Sequence, residues 1–140
     1  MAVPKLEWVE SFTLRVPEID GDHRTILDMM KVVQSAAAIR DRERVEHYLD
    51  RLLYYFQSHF AREEALLERW NCPDLEKHAK YHAGLFERAV ETRELCAKIE
   101  SPEAFDECCG EMMSLLVEDI VRGDMKLKSF LEKAGLTLPV

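Results

Sequence analysis

Positive charge is in deficit in this chain. Lys and Arg total 19 against 27 Asp and Glu, a formal net charge of −8, and no basic stripe interrupts the pattern. Phosphate binding needs clustered Lys and Arg, so nucleic acid and anionic membrane surfaces are excluded as main partners. No apolar run approaches the roughly 20 residues of a membrane span. The opening MAVPKLEWVESF has no charged segment followed by an apolar one, so a cytoplasmic location is expected. The four cysteines, Cys72, Cys96, Cys108 and Cys109, include no CxxC and no even framework. A disulfide scaffold and a zinc-finger pattern are thereby excluded, and the thiols read as reduced, partly buried hydrophobes. Strand signals, linkers, low-complexity segments and internal repeats are missing too. What remains is 47% hydrophobic and 33% charged residues over 140 positions, enough to bury one core as a single domain, 1–140.

Residues 1 to 18, with Pro4 and Pro17, read as an extended N-terminal arm in which Trp8 anchors on the body. A first helix is expected to begin near Ile19-Asp20 with Asp20 as its N-cap. It carries His23, Ile26, Leu27, Met30, Val33 and Ala37 on one face. In the second helix Val45, Leu49, Leu52, Phe56, His59, Glu63, Leu66 and Trp70 alternate four and three apart, the seam of a helix packed in a bundle. Asn71-Cys72-Pro73-Asp74 breaks the pattern. A third helix resumes the same rhythm through Leu75, His78, His82, Leu85, Ala89, Thr92, Cys96 and Ile99. Ser101 and Pro102 suit the N-cap and first position of a fourth. Its seam runs Phe105, Cys109, Met112, Leu116, Asp119, then continues shifted by one residue as Ile120, Asp124, Leu127 and Leu131, with Gly123 at the join. These features predict an all-α, antiparallel up-and-down four-helix bundle over 19–134, followed by a tail, 135–140.

The polar residues inside those seams carry the chemistry. His59 with Glu63, and His78 with His82, are i, i+4 pairs, each on one helix face and able to point at one spot. A single histidine on an apolar face is more often a hydrogen-bonded core residue than a ligand. Here four of the five histidines lie on seams together with Glu63, Asp119 and Asp124. Burying such a set dry costs several kcal/mol, whereas a bound cation compensates all of it at once. The fifth, His47, lies on the outward side, about 18 Å along its helix from His59, and reads as a surface residue. Imidazole plus carboxylate without thiolate suits iron, manganese or zinc. Six or seven donors exceed the four of tetrahedral zinc, which favours two metal ions, iron foremost.

In its motifs the sequence resembles the bacterial hemerythrins: Glu7-Trp8, Pro17 through His23 for the IDxxH element, His59-Phe60-Ala61-Arg62-Glu63-Glu64 for HFxxEE, and Pro73, His78 and His82 for PxxxxHxxxH. The last element of that family, WLxxHIxxxD, stands here as Leu115 through Asp124. The resemblance implies two iron ions bridged by carboxylates and an oxo or hydroxo group. His23 and His59 would hold one, and His78 and His82 the other with residue 119. Glu63 and Asp124 would bridge them. It further implies O₂, or another small diatomic or peroxide ligand, at the iron with two histidines, under a pocket of Met30, Phe56, Leu116 and Ile120. Three positions depart from the pattern: Asp119 for histidine, Leu115 for tryptophan and Cys72 for an aromatic. At Asp119 two roles stay open, direct ligand or an acid beside the site with water completing the iron. Glu64, Glu118 and Arg122 read as solvated charges.

Two functions follow as expectations. One is an O₂-binding protein for storage, delivery or sensing, alone or as a module of a signalling protein. The alternative is a di-iron enzyme turning over O₂, peroxide or a nitrogen oxide, motivated by Asp119 and Leu115. A module without iron chemistry ranks last.

Overall fold

The structure is a computed structural model that describes Trp8 and residues 10–139; Pro4 and Glu7 of the arm lie outside those residues. Four long helices run α1 (Pro17–Ala38), α2 (Arg42–Arg69), α3 (Leu75–Lys98) and α4 (Pro102–Glu118). The last continues through a π-helical turn, Asp119–Gly123, and a 3₁₀ turn, Asp124–Leu127, into the short α5 (Lys128–Lys133). No strand occurs among the described residues. Consecutive long helices pack as antiparallel neighbours, and a contact between His23 and Asp124 ties α1 to the far end of the chain. The all-α four-helix bundle is the architecture that the seam pattern requires.

The helix ends are set locally. Asp41 caps α2 by accepting from the Arg44 amide at 3.1 Å, and Ser101 caps α4 through the Ala104 amide, with Pro102 following it. The α2–α3 connection turns at Asn71, whose φ of 56° is left-handed, a conformation asparagine tolerates better than most residues. At the same end as the α4 cap, the Arg42 guanidinium donates to the carbonyls of Cys96, Ala97 and Ile99 and lies over the Phe105 ring. It thereby satisfies the last carbonyls of α3.

One expectation is corrected. The first helix begins at Pro17, its N-cap is Val16, and Asp20 lies inside the first turn. The Asp20 carboxylate instead accepts from the amides of Leu14 at 2.9 Å and Arg15 at 3.0 Å and from the Thr13 hydroxyl. It holds the preceding loop against the helix, work for which a capping residue type serves equally well. Trp8 packs on the core as expected, under the Arg24 guanidinium. The tail is tied back as well, the Leu138 amide donating to the Arg15 carbonyl at 2.7 Å.

Two apolar clusters fill the bundle. The larger includes Met30, Leu49, Phe56, Leu85, Met112, Leu116 and Ile120. The smaller gathers Leu14, Val16, Ile19, Leu67, Cys72, Leu127 and Leu131. On every helix the polar seam residues fall between members of the two, so they form one buried polar layer between apolar lids. No helix among the described residues is long and apolar enough to cross a membrane.

Candidate metal centre

All seven predicted site residues converge in that layer, and all are buried. The i, i+4 spacing brings His59 and Glu63 together from α2, and His78 and His82 together from α3. His23 enters from α1. Asp119 and Asp124 reach the same space for a different reason. On a regular helix residues five apart are turned by about 140°. Here the Asp124 amide donates to the Asp119 carbonyl across the π-helical turn, which returns the chain to the same face one residue late. The shifted seam is this turn seen in sequence. Gly123 permits it, because a β-carbon there would stand 2.4 Å from the Tyr81 ring.

Two groups of donor atoms result: His23, His59, Glu63 and Asp124, and Glu63, His78, His82 and Asp124, the atoms in each lying within 4.8 Å of one another. The shared members turn one oxygen to each group. Glu63 Oε1 lies 2.6 Å from His78 Nε2 and 3.3 Å from His82 Nε2, while Oε2 lies 3.3 Å from His59 Nε2. Asp124 Oδ1 lies 3.0 Å from His78 Nε2, and Oδ2 lies 2.6 Å from His23 Nε2 and 3.4 Å from His59 Nε2. Asp119 belongs to neither group by that measure. It stands between them, Oδ1 3.5 Å from His82 Nε2 and Oδ2 3.7 Å from His59 Nε2.

The donor set fits a cation. Glu63 Oε2, His82 Nε2 and both oxygens of Asp119 are buried without a hydrogen-bond partner, and unpartnered buried polar atoms are rare because each costs about 1–3 kcal/mol. Electrostatics point the same way. Burial opposes charge on His78 and His82, but hydrogen bonds to Asp124 and Glu63 outweigh it at His78, pushed up to about 9. The nearby carboxylates of Asp119, Asp124 and Glu63 do the same at His82, pushed up to about 12. Burial and the neighbouring Asp124 charge hold the Asp119 carboxyl above its usual range. The layer therefore attracts positive charge, and neutral imidazole with carboxylate is the donor combination of iron, manganese and zinc.

Four residues that the sequence reading did not place at the site complete the surroundings. Asp22 accepts from His59 Nδ1 at 2.9 Å, from two Arg62 nitrogens at 3.0 Å each, and from the Tyr55 hydroxyl at 2.9 Å. Burial works against ionisation of Asp22, but those three donors prevail and hold its carboxyl well below the usual range. Glu64, expected to be a solvated charge, accepts from His82 Nδ1 at 2.8 Å. Each of the two bonds fixes the ring so that Nε2 faces the site, the arrangement that orients metal-binding imidazoles. A signal was available: both acids sit directly beside predicted ligands in sequence. Of the other residues singled out in the sequence, His47 is exposed and the four pocket residues Met30, Phe56, Leu116 and Ile120 are buried in the larger cluster. Leu115 is half-buried against that cluster, and Cys72 is buried in the smaller one.

Comparison with known proteins gives a consistent answer. The family model "Hemerythrin HHE cation binding domain" matches residues 15–131, a span that holds every residue of the polar layer. Among curated relatives, a protein named Bacteriohemerythrin from Stenotrophomonas maltophilia (strain R551-3) is 28% identical over 119 residues, covering 85% of this chain and 76% of its own. One from Pseudomonas paraeruginosa (strain DSM 24068 / PA7) is 27% identical over 88 residues, 63% of this chain and 58% of its own. A third, from Methylococcus capsulatus (strain ATCC 33009 / NCIMB 11132 / Bath), is 31% identical over 71 residues, 51% of this chain and 54% of its own.

Proposed function

The chain belongs to the hemerythrin HHE cation-binding family, and from that premise we propose that it is a non-haem di-iron protein that binds O₂ at a carboxylate-bridged iron pair. One observation carries the reading: two groups of four donors share Glu63 and Asp124, each carboxylate offering a different oxygen to each group. In this reading His23 and His59 hold one ion, His78 and His82 the other, and Asp119 is the seventh ligand. Glu63 and Asp124, common to both groups, would serve both ions. When bound, such a pair supplies reversible two-electron chemistry toward O₂ or another small diatomic or peroxide.

The chain supplies the rest. Asp22 and Glu64 hold the Nδ1 protons of His59 and His82, leaving Nε2 as the donor. Phe56, Leu116, Met30 and Ile120, each buried, keep water from the larger-cluster side of the layer. The four cysteines are free thiols, which supports a reducing compartment, the cytoplasm in this reading.

A second reading, a di-iron enzyme that turns over O₂, peroxide or a nitrogen oxide, is favoured by Asp119. A carboxylate in place of a neutral imidazole makes the donor set one formal charge more negative and favours ferric over ferrous iron. The test is metal analysis of protein purified without chelators, then air titration of the reduced form. Two irons per chain and a visible absorption that appears in air and vanishes on deoxygenation support O₂ binding. Prompt, irreversible conversion to the ferric form, with added peroxide consumed, supports the enzyme. About one zinc per chain and no iron would refute both.

A further inference from the structure

Asp119 occupies its place in a way a histidine could not. An imidazole facing the layer offers one nitrogen, and so one bond to one ion. The Asp119 carboxylate divides its two oxygens, Oδ1 3.5 Å from His82 Nε2 and Oδ2 3.7 Å from His59 Nε2. Glu63 and Asp124 divide theirs between the same two groups of histidines, in the same sense. Two donors each about 2.1 Å from a common ion stand about 3 Å apart at right angles and about 4.2 Å apart when opposite. Each separation, to one histidine of each group, falls inside that window, while Asp119 as a whole stands outside both 4.8 Å sets of donors. Neither of its oxygens has a hydrogen-bond partner, and the side chain is fully buried. A carboxylate serving one ion as a terminal ligand has no use for a second buried, unpartnered oxygen aimed at the other group.

We propose that Asp119 is a third bridging carboxylate, spanning both ions beside Glu63 and Asp124. The inference rests on the di-iron reading above and sharpens it. It gives each ion two imidazoles and three carboxylate oxygens, and one bridging solvent oxygen then completes six. With residue 119 bound to the His78–His82 ion alone, the His23–His59 ion has only four protein donors, and a position stays open for an incoming ligand. With Asp119 bridging, that position is filled by its Oδ2. A small ligand must displace that oxygen before it reaches the iron. Residue 119 therefore sets how readily the centre accepts an exogenous ligand, and it does so through Oδ2 on the ion that an imidazole at this position would leave alone.

Azide, a small anion whose bond to ferric iron gives a visible charge-transfer band, tests this on the loaded, diferric protein. The proteins compared are the natural chain, Asp119→His, Asp119→Ala and Asp119→Asn, the last preserving the volume of the side chain should either of the others fail to fold. Iron is counted first in each. The expected result is no azide band in the natural chain at a concentration that saturates the variants, with the band gained in every variant that retains two irons. A natural chain that binds azide as tightly as Asp119→His has an open position and overturns the bridge. So does a set of variants that all stay closed, since something other than Asp119 then fills the position. Fewer than two irons in the natural chain is a different failure, that of the di-iron reading itself.

Discussion

The imidazole of His59 has two nitrogens, and only Nε2 faces the carboxylates of the polar layer. Its Nδ1 donates to Asp22, a side chain already fixed by two bonds from Arg62 and one from Tyr55. Such a carboxylate behind an imidazole sets the tautomer and raises the basicity of the donor nitrogen, typically worth about 10–100-fold in metal affinity. Asp22→Ala is therefore expected to speed release of metal to a chelator by roughly that 10–100-fold, with the fold intact by circular dichroism. Arg62→Met separates this role from the ion pair itself. It removes the partly exposed Arg62–Asp22 pair, a surface interaction worth about 0–1 kcal/mol, and leaves the His59–Asp22 bond in place. If Arg62→Met releases metal as fast as Asp22→Ala, Asp22 acts through the ion pair and not through His59.

The last helix owes its site residues to an irregularity. Its buried face runs through Phe105, Cys109, Met112, Leu116 and Asp119, and resumes at Ile120, Asp124, Leu127 and Leu131; one residue too many lies between the two registers. The π-helical turn absorbs that residue. Deleting Val121, a partly exposed side chain within the turn, should accordingly convert it to ordinary helix while leaving Leu127 and Leu131 on the buried face. Deleting Val90 from the regular α3 has no such slack and should rotate all that follows by about 100°. The expected outcome is a folded Val121 deletion, cooperative in urea, that still retains iron, because Asp119 and Asp124 then form an i, i+4 pair on one face of a regular helix. The Val90 deletion is expected not to fold. Unfolding of both would show that the turn holds no spare residue.

That irregularity also marks what the sequence could carry. Periodicity put His59, Glu63, His78 and His82 on the inward helix faces where the structure has them, because each pair is an i, i+4 repeat within a regular helix and needs no knowledge of its neighbours. It registered the slip between Asp119 and Ile120 but could not pair Asp119 with Asp124; that pairing came from resemblance, since the π turn goes with the close packing of its Gly123 against the Tyr81 ring of another helix and not with local propensity. Glu64 and Asp22 were missed for another reason. Each points away from its helix seam, and what it reaches is an Nδ1 on a different helix. Asp20 was misplaced because a short acid near a helix start serves equally as a cap or as an anchor for the loop before it.

At the scale of the whole molecule the polar layer cuts the core in two. Glu63, Asp119 and Asp124 are buried among four imidazoles, between one apolar cluster and another, so the bundle carries across its middle a layer of groups whose burial opposes folding. A ligand bound by the folded but not the unfolded chain adds RT ln(1 + [L]/Kd) to stability, about 2.7 kcal/mol per ion at 100 times Kd. For a domain of this size each kcal/mol moves the midpoint by about 4 °C, so one ion is expected to raise Tm by about 10 °C. Ferrous iron supplied anaerobically to protein stripped with a chelator should raise Tm by at least that amount. The gain should grow with metal concentration and disappear in Glu63→Ala, which removes a donor common to both groups. The same melt with magnesium, which prefers oxygen ligands and keeps its waters, should move little. An equal shift with magnesium would mean that the layer holds a hard cation through its carboxylates alone. A Tm indifferent to iron would mean that the imidazoles and carboxylates satisfy one another without any ion.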